Sequence, residues 1–463
     1  MAKIAFLQIF PEHYVTIDRY FSEDGREDRQ NLMMMSCAVW AIEEGFDVQL
    51  VRDDETRIDT DGLDAVFIVL FSVAAYRLKH VIDRFRSLPN CRVIVCGPHA
   101  VSFPEHCYRA GADTAVGRCN RGLFIEILDG IRTDSLRSSY TTDKPLASFP
   151  YQSRFRELGL APQQNFMNVM SSTGCPYTCE FCTDAAVKYA AVGASEVFDN
   201  IRSSDEQFVI FNDPTFGVGR EGRALLGQLS GLRERYFAAF TTSSMLRDAE
   251  FREQLTEAGF VLVEVGVENI NSKFSKNKNV DFIETFSRCD FLILVNYIWG
   301  YDSQDAEDAT LLFLDELTRA CPNIFLMLFA PFSLPETPQH QNLVRDAKIF
   351  DPTYLCIGNE IPSIRIAGAA SPRDYCEKML QLNQKLQNGH VERMREWIQN
   401  NPRIDRSRKQ VMQTMVDRHL AAAVLRDEWA EHILTAAPDS YDSFSQHVME
   451  RAIPGFARYD LAL

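Results

Sequence analysis

The chain reads as an α/β protein: two parallel-sheet units followed by a helical C-terminal segment. Three observations predict this. Short apolar runs alternate with helical patterns from the first residues to about residue 130. The alternation restarts at Phe166 and runs to Ala330, and beyond Pro335 helical periodicity replaces the strand signal. Strands alternating with helices of this length argue for parallel sheets covered on both faces.

In the first unit the apolar runs are Ile4–Phe10, Val48–Val51, Ala65–Phe71, Val93–Cys96 and Thr114–Val116. Helical patterns lie at Arg29–Glu44, Ala74–Ser87, Pro104–Ala110 and Leu123–Leu128. Five strands suit a doubly wound, flavodoxin-like (Rossmann-like) order, which binds ligands beyond the carboxyl ends of its strands. The turns at those ends are Phe71-Ser72-Val73, Cys96-Gly97-Pro98-His99 and Val116-Gly117-Arg118-Cys119. No G-x-G-x-x-G follows the first strand, so the dinucleotide fingerprint is missing. Residues 1–135 are expected to form this domain. Residues 136–165, polar and interrupted by Pro145, Pro150 and Pro162, are expected to form a linker.

The second unit, residues 166–335, has strand-like segments at Phe166–Met170, Phe208–Asn212, Ala238–Thr242, Val261–Val267, Phe291–Tyr297 and Ile324–Ala330. Helical patterns separate them at Ser195–Ser203, Arg220–Arg233, Ala249–Ala258, Asp281–Arg288 and Ser303–Ala320. Six β/α units fit a partial barrel better than an open sheet, and in barrels the chemistry sits at the C-terminal ends of the strands. The polar, lysine-rich connection Asn269 to Val280 implies a short fourth helix. Residues 336–463 carry helical periodicity at Pro372–Gln387, Val391–Gln399 and Asp405–Leu434. They are expected to form a helical domain over the open side of the barrel.

Bulk properties narrow the function. With 463 residues the chain is too long for one ordinary domain. At 46% hydrophobic and 24% charged it has a soluble, globular composition, and no stretch approaches the ~18 apolar residues of a membrane span. The first residues have the pattern of a buried strand, not of a signal peptide. A formal charge of −16 argues against a nucleic-acid backbone or an anionic membrane as partner. Twelve cysteines, scattered apart from one cluster, point to a reducing cytoplasm.

That cluster is Cys175, Cys179 and Cys182, spaced C-x3-C-x2-C directly after the run Phe166–Met170. However these three pair, one is left over. Zinc wants four ligands, yet there is one C-x2-C pair and no histidine between His106 and His340. A redox C-x-x-C leaves Cys175 unexplained. Three thiolates on one short loop suit an iron–sulfur cluster with one iron left open.

The stretch Ser-x-Thr-Gly-Cys-Pro-Tyr-x-Cys-x-Phe-Cys, residues 171–182, resembles the signature of radical S-adenosylmethionine enzymes. The resemblance implies a 4Fe–4S cluster on Cys175, Cys179 and Cys182, with S-adenosylmethionine on the open iron. Reductive cleavage there gives a 5′-deoxyadenosyl radical. It implies a partial (β/α)6 barrel, which agrees with the six units counted above, and an electron donor such as flavodoxin or ferredoxin. By position it places the backbone of Phe181 near the adenine, and Asp213 and Thr215 near the methionine end of the cofactor. Thr242 and Ser243 fall where ribose or carboxylate contacts occur, and Glu268 ends a Gly-x-Glu turn. As a carboxylate after buried β-branched residues, Glu268 also needs a partner on physical grounds. Two loops depart from the family: Tyr297-Ile298-Trp299-Gly300-Tyr301-Asp302-Ser303 replaces Gly-x-Pro-Gly-Glu-Thr, and Pro335-Glu336-Thr337-Pro338 replaces Pro-Gly-Thr-Pro. The small-molecule substrate is therefore not assigned by analogy.

A doubly wound domain ahead of such a barrel resembles the cobalamin-binding subclass. The resemblance implies that Ser72, Val73, Gly97, Pro98, His99 and Gly117 wrap the corrin edge. The Asp-x-His-x-x-Gly stretch of cobalamin mutases is absent, so no axial histidine is implied. Gly117-Arg118-Cys119-Asn120 stands where relatives have Gly-Glu-Gly-Glu. Two enzymatic readings follow: cobalamin-dependent methylation of an unactivated carbon in a natural-product pathway, or radical elimination of the sugar-diol type with a vestigial cobalamin domain. A non-catalytic cluster-bearing sensor is a third class.

Overall fold

A computed structural model gives the structure of the chain, describing residues 1–9, 32–52, 54–144, 152–160, 166–232, 234–268, 275–300, 307–331, 337–345, 369–387 and 389–436. The first unit runs β1 (Lys3–Ile9), α1 (Leu32–Glu43), β2 (Asp47–Arg52), β3 (Leu63–Leu70), α2 (Leu78–Arg86), β4 (Arg92–Cys96), α3 (Pro98–Ser102), α4 (Pro104–Ala110), β5 (Thr114–Val116), α5 (Arg121–Arg132) and β6 (Ser139–Tyr140). A short helix, α6 (Gln152–Glu157), follows. Its strands are all parallel, in the order β2-β1-β3-β4-β5-β6.

The first five strands take the flavodoxin-like order that the sequence predicts. The sixth is a correction: Ser139 and Tyr140 pair with Ala115 and Val116 at the sheet edge, inside the stretch read as linker. Two residues are too few for a period-2 signal, and Tyr140 alone is buried. Alternation divides the two cores. Ile4 and Phe6 face α1 and α5, where Phe6 stacks on Phe67 at 4.8 Å, while Ala5, Leu7 and Ile9 face α2 and α4.

The second unit runs β7 (Phe166–Val169), β8 (Ser172–Thr173), β9 (Ala190–Ala191), α7 (Ala194–Arg202), β10 (Phe208–Phe211), α8 (Gly219–Leu229), β11 (Tyr236–Thr241), α9 (Ser243–Leu246), α10 (Ala249–Ala258), β12 (Phe260–Glu268), α11 (Phe282–Ser287), β13 (Leu292–Ile298), α12 (Glu307–Ala320) and β14 (Ile324–Phe329). Six parallel strands stand in sequential order, β7-β10-β11-β12-β13-β14. Each strand lies beside its predecessor, so every loop that follows a strand opens at one edge. The short fourth helix is α11, whose Asp281 cap accepts from the Glu284 backbone.

The last helices are α13 (Pro338–Arg345), α14 (Pro372–Gln387), α15 (His390–Asn400) and α16 (Arg406–Ala436). Helix α14 joins the layer of outer helices, where Tyr375 stacks on Trp299 at 5.0 Å and donates to the Trp299 carbonyl. Helices α15 and α16 do something different. Their Met394, Ile398, Met412 and Met415 pack on the opposite face of the sheet, against Phe208, Ile210, Leu262 and Leu294. Each buried side chain is worth about 1.5–3 kcal/mol. The half-exposed pair between Arg403, in the α15–α16 connection, and Glu253 of α10 is worth about 0–1 kcal/mol. Apolar packing therefore decides where these helices sit. They cover the sheet toward its N-terminal edge and leave the C-terminal edge, with its loops, to other segments. No helix among the described residues is long and apolar enough to cross a membrane.

Candidate functional site at the C-terminal edge of the second sheet

The cysteine loop leaves β7 and is closed as a hairpin by the antiparallel pair β8–β9, in which Ser172 faces Ala191 and Thr173 faces Ala190. This pair was not read from the sequence. Gly174 shows why the loop needs its glycine. Its φ is +68°, and a Cβ there would lie 2.5 Å from the Val187 carbonyl oxygen and 2.6 Å from that of Lys188. The root of the loop is held by Asp213, just past β10. Its Oδ1 accepts from the Ser171 backbone N–H at 2.9 Å, the Ser171 hydroxyl at 3.1 Å and the Ser172 hydroxyl at 2.6 Å. Its Oδ2 is buried without a hydrogen-bond partner. Burial raises the Asp213 carboxyl to about 6, and the serine donors only partly offset this.

The three thiols bear on one another electrostatically. Cys179 is buried, and burial pushes its thiol up to about 11 against the opposing charge of Lys276. Burial also raises the Cys182 thiol, with Asp184 adding to it. The Cys182 N–H donates to the Cys179 carbonyl at 3.1 Å, and a 3-10 turn, Thr183–Ala186, follows. Cys175 Sγ lies 3.6 Å from the Thr215 hydroxyl. Among the described residues no three His, Cys, Asp or Glu side chains stand close enough to share a single metal ion. Ligands to separate irons of one cluster stand further apart than ligands to one ion.

Four other segments meet the loop. Tyr177 OH lies 3.4 Å from the Thr242 hydroxyl and 3.3 Å from that of Ser244, and Thr242 also caps α9. The Gln339 N–H, at the start of α13, donates to the Glu180 carbonyl at 3.1 Å. From the first unit, Arg118 Nη2 donates to the Thr183 carbonyl at 3.3 Å. The fourth contact is Lys276, whose ammonium sits 5.6 Å from the centroid of the Phe181 ring and pairs with Glu268 Oε1.

Lys276 and Asn277 are the site residues that the sequence reading missed, because a lysine-rich polar stretch reads as solvated. Ser243, fully buried, donates to Asn277 Oδ1 at 2.6 Å, and Asn277 Nδ2 donates to the Val267 carbonyl at 2.7 Å. This network turns the segment inward. Glu268 is held with φ +68°, at a register shift between β12 and β13. Gly266 makes the room: a Cβ there would fall 2.1 Å from Glu268 Oε1 and 2.7 Å from Lys276 Nζ. The available signal was Glu268 itself, a carboxylate closing a buried strand, which demands a cation nearby.

The structure thus brings Cys175, Cys179, Cys182, Phe181 and Glu268 to one mouth. It places Asp213 beneath the loop and Ser243 behind the 276–277 turn. In the first unit, Gly97 and Pro98 begin α3 at the carboxyl end of β4. His99 turns inward: it is 1% exposed, stacks on Phe103 at 5.1 Å, and its Nε2 lies 2.8 Å from His106 Nδ1. Ser72 and Val73 open a 3-10 turn after β3, and their side chains lie outside the description. Gly117 packs against Thr141, and Asn120 caps α5 by accepting from the Leu123 N–H at 3.0 Å. Of the departing loops, Trp299 and Thr337 are buried, while Tyr301, Asp302, Ser303, Pro335 and Glu336 lie outside the described residues.

No family model matches the chain. The fold is shared with that of radical S-adenosylmethionine methyltransferases of known structure. The structures in question are of TsrM from Kitasatospora setae. The form with cobalamin and a [4Fe-4S] cluster bound matches 91% of this chain and 100% of that chain at a TM-score of 0.60 and 13% identity. The form with tryptophan substrate and the analogue aza-SAM matches 75% of this chain and 76% of that chain at 0.56, also at 13% identity. At such identity the likeness speaks for the fold. A curated relative, the uncharacterized methyltransferase sll1242 of Synechocystis sp., is 26% identical over 381 residues, 76% of this chain and 70% of its own length.

Proposed function

We propose that the protein is a radical S-adenosylmethionine enzyme that methylates a small molecule with the help of cobalamin. The observation that carries the reading is the three-cysteine loop, closed as a hairpin at the C-terminal edge of six sequential parallel strands, read as a partial barrel. Cys175, Cys179 and Cys182 would hold a 4Fe–4S cluster, and the first sheet would hold cobalamin along the Gly97-Pro98 and Gly117 turns. The donor set fits. Thiols pushed up by burial are poor thiolates by themselves and become good ones on a soft metal.

The chemistry supplied on binding is one-electron reductive cleavage of S-adenosylmethionine and methyl transfer through the corrin. The chain's own residues do the positioning. Asp213 and Gly174 fix the loop, Tyr177 ties it to the start of α9, and Gln339 ties it to α13. The Arg118 link to Thr183 brings the turn after β5 against the loop, so a corrin on the first sheet and a cluster on the loop would face a shared space. Helices α15 and α16 seal the sheet's far half from water. Both the fold shared with TsrM and the curated relative favour methylation over elimination. The filled turn at Gly117 and Arg118 favours elimination with a vestigial cobalamin domain.

The deciding experiment is anaerobic purification and reconstitution with iron and sulfide, with and without hydroxocobalamin. The expected result is a brown chromophore, 5′-deoxyadenosine on reduction with dithionite, and stoichiometric cobalamin. Absence of the chromophore overturns the radical reading, and 5′-deoxyadenosine without cobalamin binding turns the choice to elimination.

A further inference from the structure

We propose that the Lys276–Glu268 ion pair sets the reduction potential of the cluster that the cysteine loop would hold, with Lys276 raising it and Glu268 moderating the effect. The proposal rests on the cluster reading above and assigns these two side chains a role that acts through the cluster, not on the substrate.

The geometry is specific. Lys276 Nζ stands over the ring of Phe181, one of the two residues between Cys179 and Cys182, and is in ion-pair contact with Glu268. The pair is largely shielded from water, with 14% of the lysine and 10% of the glutamate side chain exposed, so its field is weakly screened. The chain has gone to some length to hold this charge here. Glu268 has a left-handed backbone that favours glycine, and Gly266 is the small residue that leaves space for the pair. Ser243 and Asn277 pin the turn that carries Lys276. A structural ion pair requires none of this proximity to thiols.

The net sign follows from which charge dominates at the thiols. Of the two side chains it is the ammonium of Lys276 that stands over Phe181, within the Cys179–Cys182 segment, so the positive member of the pair faces the loop. Reduction adds one electron, taken from the external donor, to the cluster and its thiolates. A nearby net positive charge stabilises that reduced form and raises the potential.

The experiment is a potentiometric titration of the reconstituted full-length protein with dithionite, followed by electron paramagnetic resonance, for the parent, Lys276→Gln, Glu268→Gln and the double variant. Removing the lysine should move the midpoint to more negative values, removing the glutamate should move it to less negative values, and the double variant should fall between them. Lys276→Arg should stay near the parent. A role in folding or packing alone would shift both single variants the same way, or leave the midpoint unchanged while lowering iron content, and either result overturns the proposal. Should Lys276→Gln fail to retain a cluster, Glu268→Gln against the parent still decides by the sign of its shift. A parent with no reducible cluster defeats the reading beneath this proposal. A normal parent with unmoved variants defeats the proposal alone.

Discussion

The hydroxyl of Ser172 donates to Oδ1 of Asp213 across 2.6 Å, joining the first residue of β8 to the end of β10. Two Ser171 donors share that oxygen. A single buried carboxylate therefore fixes where the cysteine loop departs from the sheet. Because burial raises this carboxyl from 3.8 to about 6, the folded state binds more protons than the unfolded state between those values. Stability should then fall as pH rises from about 4 to about 6, by roughly 3 kcal/mol in all. Asp213→Asn stays neutral and keeps an acceptor oxygen. Its melting temperature against pH should lack this slope, and a parallel profile in both proteins would count against the assignment.

Gly174→Ala tests the hairpin directly. The added Cβ meets two backbone oxygens within 2.6 Å, and neither can swing away as a side-chain tip would. With the left-handed backbone added, the loss should exceed about 2 kcal/mol. Urea midpoints would read it. A variant as stable as the parent means that the loop has a different conformation in solution.

Cys179→Ala should abolish the brown absorbance and the cleavage of S-adenosylmethionine. Cys91→Ala should leave both intact, since Cys91 is buried beside β4 in the first unit, at a different sheet from the one that carries the cysteine loop. Iron analysis and mass detection of 5′-deoxyadenosine check the pair, and equal losses in both would remove the distinction between structural and ligating thiols.

Much of this arrangement was legible because buried strands announce themselves. Val93–Cys96 and Thr114–Val116 coincide with β4 and with β5, and the cysteine loop lies where the end of Phe166–Met170 put it. The missed features share a physical cause: their partners are distant in sequence. Ser139 and Tyr140 become a strand only because β5 offers an edge. Lys276 turns inward because Glu268 pairs with it. His99 reads as an open turn residue until its ring nitrogen meets that of His106, on the next helix. The helical periodicity of α15 and α16 was plain, but which face of the sheet they would cover was not written in either helix alone.

Arg118 stands where relatives of the proposed family carry an acidic residue, and its guanidinium ties the turn after β5 to the Thr183 carbonyl at 3.3 Å. That carbonyl follows Cys182 directly, and the turn it begins is closed by the Val187 N–H on the Asp184 carbonyl. Arg118→Gln is too short to keep the bond, whereas Arg118→Lys can still reach a single acceptor. One such hydrogen bond is worth about 1 kcal/mol, so local opening of residues 183–187 should become about fivefold more frequent in the glutamine variant. Hydrogen exchange of peptides covering this turn should show the increase there and not in β12 or β13, with the lysine variant close to the parent. An increase spread evenly over the chain would mean that Arg118 supports the fold in general. Confined to the turn, it would identify the arginine as the contact through which the first sheet and the cysteine loop keep their mutual position.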